Sequence, residues 1–351
     1  MSHSRNEPIR VGIAGLGRSG WGIHANALAA MNDRYQIVAI SDADVARRTE
    51  AVSRFGCESH STFESLIGDG SIELVVVATP NHLHVDHTIA AVNSGHHVVC
   101  EKPVATSSAG MSRISAATHS TGRVIAPFQN RRYEAMYRKI CDVIASGILG
   151  RIVEIRVCVH AFERRWDWQT LREYGGGLLR NSGSHFIDEL LVLFGDSEPE
   201  VFCKLDRTLT SGDAEDHVKL IMHGRGAPMI DLEISSACAY PQELWLAMGT
   251  SGGLRSQNNT LQWKYVDFST LPERPVDRQP TPDRKYNSEP LPWHEEQWMV
   301  PNDINITQTH RMFYEDLFQT IRAHVAFPIT LQSVARQMRV IEKCYKQAAD
   351  D

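Results

Sequence analysis

The stretch Ile9-Arg10-Val11-Gly12-Ile13-Ala14-Gly15-Leu16-Gly17-Arg18-Ser19-Gly20 decides the fold. An apolar strand ending in Ala14 runs into a glycine-rich turn, and a helical pattern through Ala25–Met31 follows. Gly15 permits a tight turn, Gly17 lets the backbone approach a pyrophosphate, and Gly20 allows close helix packing while the helix N-terminus faces the phosphates. Arg18 and Ser19 lie inside that loop and count with the glycines as cofactor contacts. The next apolar run ends in Asp42, at roughly the ~20-residue distance at which such folds place the acceptor of the ribose hydroxyls. A carboxylate there repels a 2′-phosphate, so the spacing predicts NAD rather than NADP. Arg18, Arg47 and Arg48 are the cations able to reverse that preference. The two on the following helix read as a solvated face.

Outward from this turn, Ile9–Ala14, Gln36–Ser41, Leu74–Ala78, His97–Cys100 and Val124–Pro127 read as strands buried on both faces. Ala43–Phe55, Leu83–Ser94 and Ser107–Thr121 read as the helices between them, with Asn81, Ser107 and Ser108 as candidate caps and Gly95 as a helix stop. This alternation predicts a doubly wound parallel α/β sheet. After a helix at Tyr133–Ser146, strand-like runs at Arg151–Ala161, Val201–Leu209, His217–His223, Met229–Ser236 and Glu243–Met248 follow one another closely. They predict an α+β domain with a large, open, mostly antiparallel sheet. Helices at Thr307–Ala323 and Leu331–Ala348 close the chain, and Val334, Met338, Ile341 and Tyr345 form a core stripe on the second. Residues 1–130 form the first expected domain and 131–351 the second, whose last helix is free to pack back on the first. Ser269–Pro301, dense in proline and charge, reads as a surface excursion.

With 351 residues, 42% apolar and 22% charged, the composition is that of a globular protein. A net charge of −6 without cationic blocks argues against nucleic acid or an acidic membrane as partner. Met1–Arg10 offers no apolar core for a signal peptide, and no apolar run approaches a membrane span. Seven dispersed cysteines without CxxC spacing fit reduced thiols in a cytoplasm.

Glu101-Lys102-Pro103 closes the apolar run His97–Cys100. A lysine at the carboxyl end of a buried parallel strand lies where such sheets bind ligands, and its ammonium can polarise a carbonyl or relay a proton. His185 follows Gly175, Gly176, Gly177 and Gly183, a small-residue setting that lets substrate approach. Asp188, one helical turn on, is a candidate for holding a substrate hydroxyl or orienting the His185 ring. Trp166 and Trp168 offer faces for a sugar ring, with core packing as the other reading for one of them. His82, His84, His87, His96 and His97 cluster in sequence but lack a completed ligand set, so no metal is expected: His84 is read as cleft lining and the others as surface residues.

Taken together, Gly15-x-Gly17-x-x-Gly20, Asp42, Ala78-Thr79-Pro80-Asn81-His82-Leu83-His84, Gly95 to Pro103, and the run GGGLLRNSGSHFID from Gly175 to Asp188 resemble the glucose–fructose oxidoreductase, inositol dehydrogenase and MocA family (Gfo/Idh/MocA). The resemblance implies hydride transfer between a nicotinamide and a secondary hydroxyl of a sugar, cyclitol or glycoside. It also implies a homodimer or homotetramer built through the open sheet. By position it assigns Thr79, Pro80, Asn81, His84, Gln129 and Arg131 to the nicotinamide region and places Glu101 and Lys102 beside the reacting carbon, facing His185. The family has an aspartate where this chain has Asn181. An asparagine holds a hydroxyl or orients a ring but accepts no proton, which leaves the proton to His185 with Lys102 stabilising the oxygen. Two alternatives stay open: transient oxidation by a retained NAD followed by elimination and hydride return, and a non-catalytic nucleotide- or sugar-binding regulator.

Overall fold

A computed structural model describes residues 7–280, 284–302 and 306–350. The first half is built on β1 (Ile9–Ala14), β2 (Tyr35–Ser41), β3 (Glu58–His60), β4 (Leu74–Val77), β5 (His97–Cys100) and β6 (Ile125–Pro127). These strands are parallel in the order β3-β2-β1-β4-β5-β6. The order reverses direction between β1 and β4, which opens a crevice at the carboxyl ends of the strands. Burial is complete where the sequence is most apolar: every residue of β4, from Leu74 to Val77, is buried. The connecting helices are α1 (Asn26–Ala29), α2 (Val45–Phe55), α3 (Phe63–Ile67), α4 (His84–Asn93) and α5 (Ser108–Thr121). Asp44 caps α2 through the Ala46 N–H, and Ser107 caps α5 through the Gly110 N–H. Asn81, a candidate cap, instead begins a short 3₁₀ turn and α4 starts without a side-chain cap. Ser108 binds its amide to Glu342 at 2.6 Å, tying α5 to the end of the chain.

In the second half α6 (Ala135–Ala145), β7 (Ile152–His160) and α7 (Leu178–Phe194) precede β8 (Glu200–Asp206), β9 (His217–His223), β10 (Met229–Ser235) and β11 (Trp245–Gly249). β12 (Gly252–Gln257), β13 (Thr260–Tyr265) and β14 (His294–Met299) complete an eight-stranded sheet in the order β14-β13-β12-β11-β7-β10-β9-β8. The pairing is antiparallel except between β7 and β10. Alternation decides which face is covered: Val218, Leu220 and Met222 of β9 are buried, whereas Lys219 points to the other face beside Asp231 and Glu233. The proline-rich excursion is shorter than expected. Its end, His294–Met299, is an edge strand, and β14 escapes sequence reading because its pairing rests on backbone bonds to β13 with largely exposed side chains.

Finally, α8 (Ile306–Ala323) buries Phe313, Tyr314, Leu317 and Phe318 in the apolar core of the first half. The stripe of α9 (Leu331–Asp350) is divided: Val334 and Met338 join that core, while Ile341 and Cys344 join the core beneath the second sheet. One helix thus ties the two sheets together. Among the described residues, no helix is long and apolar enough to cross a membrane.

Candidate functional site

The glycine turn sits at the reversal point of the parallel sheet. Gly15 has φ +89°, and a Cβ on Gly20 would collide with the Gly15 carbonyl oxygen, so neither position admits a side chain without moving the turn. Gly17 faces open space. The helix begins immediately after the loop, earlier than expected, through a π-helical segment Gly20–Ala25. Asp42 accepts the Leu16 N–H at 2.7 Å and the Asp44 N–H at 2.8 Å, which fixes its carboxylate against the loop. Arg47 pairs with Asp42 and Asp44, and Arg48 donates to the Asp42 and Ala43 carbonyls. Arg47 lies on the solvated face expected of it, and Arg48, half-buried, is turned to the end of β2. An open Gly17, a closed Gly15–Gly20 turn and an anchored strand-end carboxylate fit a dinucleotide.

Lys102 leaves the end of β5 and donates from Nζ to Asn181 Oδ1 at 3.1 Å, across the cleft between the two halves. Burial lowers its ammonium below the ordinary value; Glu101 opposes that shift, and Arg18 and Arg131 add to it. Arg18 thus acts electrostatically on Lys102. Glu101 is turned inward: it bonds His24 Nε2 at 3.1 Å and the Lys102 amide at 2.9 Å, while His24 Nδ1 meets the Tyr314 hydroxyl at 2.7 Å. Burial alone would raise the Glu101 carboxyl, but the hydrogen bond and charge of His24, with Lys102, hold it at about 2. Its oxygens are occupied, so Glu101 fixes where Lys102 starts. His24 and Tyr314 gave no sequence signal, being single residues on helical faces.

Asn181 and His185 lie four residues apart on α7, on one face. The helix is seated by Glu215, which accepts the Leu179 N–H at 3.2 Å and the Tyr345 hydroxyl at 2.8 Å. Gly177 is required there, since at φ +107° its Cβ would run into Glu215 Oε1. Burial first, then the charges of Lys102 and Arg131, hold the His185 imidazolium down to about 3, and His185 Nδ1 is buried without a protein partner. His185 is therefore a neutral imidazole near pH 7.

Several expected positions land elsewhere. Asp188, a candidate for substrate, is buried and held by both arms of Arg132 at 2.6 Å, because a buried carboxylate needs a countercharge. Gln129 is buried and donates to Gln337, which in turn bonds the Ser184 carbonyl, so it braces α7 from beneath. Arg131 pairs with Glu134 at 2.9 Å and lies over the Phe186 ring, reaching the cleft through its field. His84 is buried beneath the cleft, bridging the carbonyls of Thr79 and Pro103 at 2.7 Å each. Thr79 Oγ1 meets His87, which stacks on Phe63, and His96 is buried between the carbonyls of Ile67 and Ile72. The histidines read as surface residues are thus partly structural. Pro80 and Asn81 follow β4 at the rim beside Thr79. Trp166 and Trp168 are both exposed, which removes the core reading.

Comparison with known proteins agrees with this arrangement. The sequence profile of the oxidoreductase family with an NAD-binding Rossmann fold, GFO_IDH_MocA, matches residues 9–128, and that of the GFO/IDH/MocA C-terminal domain matches residues 137–255. An uncharacterized oxidoreductase of Schizosaccharomyces pombe is 24% identical over 97% of this chain and 97% of its own. The scyllo-inositol 2-dehydrogenase (NADP(+)) IolW of Bacillus subtilis is 34% identical over 54% of this chain and 52% of its own. Among solved structures, the putative oxidoreductase yvaA of Bacillus subtilis has a TM-score of 0.81 at 22% identity, covering 99% of this chain and 98% of that one. The WlbA dehydrogenase of Bordetella pertussis, solved with NADH and UDP-GlcNAcA, has a TM-score of 0.76 at 23% identity, covering 98% and 96%. With both halves matched in order over the same two sheets, this chain belongs to the Gfo/Idh/MocA family and is an NAD-binding oxidoreductase.

Proposed function

We propose that the chain oxidises a secondary hydroxyl of a sugar, cyclitol or glycoside, with Lys102 as the group that takes the hydroxyl proton. The observation that carries this reading is the half-buried Lys102, whose Nζ is held at 3.1 Å on Asn181 Oδ1 just beyond the carboxyl end of β5. When bound, NAD supplies the hydride acceptor. The neutral amine of Lys102 accepts the proton, and the ammonium so formed is stabilised by the Asn181 carbonyl oxygen. His185, kept neutral chiefly by burial, orients the hydroxyl. This reverses the roles expected from sequence, which gave the proton to His185. An imidazole with a pKa of about 3 is a weak acceptor, and no carboxylate stands at position 181 to support it.

Asp42 favours NAD over NADP, although the relative IolW is named for NADP. The exposed Arg47 guanidinium lies 3.7 Å from Asp42 and 3.6 Å from Asp44, so a 2′-phosphate would compete with two carboxylates for it. The test is absorbance of reduced nicotinamide with NAD and NADP against a panel of cyclitols, aldoses and glycosides. Stoichiometric NADH, with NAD preferred by kcat/KM, is expected. Product without net NADH would replace the reading with redox elimination, turnover of nothing in the panel would favour a binding protein, and an NADP preference would overturn the cofactor assignment.

A further inference from the structure

Four hydrogen-bonding side chains form a chain leading away from Lys102. Lys102 Nζ donates to Asn181 Oδ1, and Asn181 Nδ2 donates to Gln169 Oε1 at 3.2 Å. Arg165 Nη2 donates to the same Gln169 oxygen at 2.7 Å, and Arg165 is gripped by both oxygens of Asp167 at 2.9 and 3.0 Å. Asp167 also caps the Gln169 N–H at 3.0 Å. The orientation of both amides follows from the chemistry of the ends. A lysine ammonium and an arginine guanidinium only donate, so each turns an amide oxygen toward itself. The Gln169 oxygen, turned to Arg165, then leaves Asn181 one compatible orientation, with its NH₂ toward Gln169 and its oxygen toward Lys102.

We propose that Gln169 is a positioning residue that locks the Asn181 amide so that its oxygen faces the Lys102 ammonium. The inference rests on the catalytic reading of Lys102. It also explains why asparagine suits position 181 in this chain. A carboxylate there would set an acceptor oxygen against Gln169 Oε1, and Arg165 prevents Gln169 from turning over to relieve it. The Asp167–Arg165–Gln169 segment and Asn181 are matched to one another. The segment includes the exposed Trp168, which precedes Gln169 in the chain.

Gln169→Leu removes the acceptor that holds the Asn181 NH₂, so the amide is held by the Lys102 ammonium alone and is free to turn its NH₂ to the lone pair of Lys102 once that group is the neutral amine, where it competes with the substrate proton. Lys102 loses an acceptor that favours its charged form, so its pKa falls and the acid limb of kcat/KM moves to lower pH. A fall in kcat of about tenfold to a hundredfold is expected, as for a misplaced reacting group. Gln169→Glu keeps an acceptor for both Asn181 and Arg165 and is expected to retain kcat within a few-fold. The discriminating comparison places Gln169→Leu in an Asn181→Asp background. A carboxylate has no wrong amide orientation, so there the substitution leaves kcat unchanged or raises it by relieving the acceptor clash.

Equal losses in both backgrounds, or equal losses for Gln169→Leu and Gln169→Glu, would show a purely structural role and overturn the proposal. If Asn181→Asp by itself abolishes turnover, the Leu and Glu comparison and the shift of the acid limb decide alone. Full activity in Lys102→Met would instead remove the catalytic reading on which the inference rests, whatever the Gln169 variants do.

Discussion

Lys102→Met lowers kcat/KM by about three orders of magnitude, within the range typical of removing a general acid–base. The substitution keeps the aliphatic stem in its buried channel and removes only the amine. What disappears is the proton acceptor, and the Asn181 oxygen is left without its cation. Binding of NAD changes little, because the glycine turn and Asp42 are held by their own bonds to the loop and to β2. The measurements are kcat/KM for the best substrate, the NAD dissociation constant by titration, and the melting temperature as a control for folding. A kcat/KM within threefold of the unaltered protein would remove Lys102 from the chemistry.

Arg132→Ala produces the largest loss of stability. Asp188 is 2% exposed and depends on Arg132 for two 2.6 Å bonds, and Arg132 also reaches Ser333 on α9. Removing one partner leaves a buried carboxylate uncompensated, which costs roughly 3–5 kcal/mol. The pair itself has a much smaller net worth, because both charges lose their hydration on burial. Replacing Arg132 by Met together with Asp188 by Leu therefore restores most of the loss. Urea unfolding of the three proteins checks this. A loss below about 1 kcal/mol for the single variant would place it among ordinary substitutions and contradict the account.

The parallel sheet was readable because hydrophobicity alone specifies it. Runs such as Leu74–Val77 have no polar face to misassign, and the glycine turn locates the crevice. Strands with another source of cohesion were not. β3 is a three-residue edge segment, Glu-Ser-His, and β14 is exposed for most of its length, so backbone pairing rather than apolar burial defines both. At the site, Lys102, Asn181 and His185 stand together because each lies in a local motif with a steric or helical reason to be where it is. The contacts of Asp188, Gln129, His84 and Glu101 are not legible in the sequence because each faces inward, toward Arg132, Gln337, two carbonyls and His24. Three of those partners, Arg132, Gln337 and His24, are far away in sequence and carry no motif. Gln169 carries no sequence signal either: its contacts with Arg165 and Asn181 depend on the folded geometry rather than on a motif.

The assignment of the proton to Lys102 is tested most directly by the pH dependence of kcat/KM for oxidation in the His185→Ala variant, compared with the unaltered protein. Only the deprotonated amine accepts a proton, so activity falls as pH drops through the Lys102 pKa, which lies below the usual 10.5. A base with the His185 value of about 3 would leave the profile flat across the neutral range. The account predicts an acid limb below the ordinary lysine value yet above the value of about 3 held by His185, and one that survives in His185→Ala at reduced height. A limb that vanishes with His185, or a profile flat across the neutral range in the unaltered protein, would contradict it.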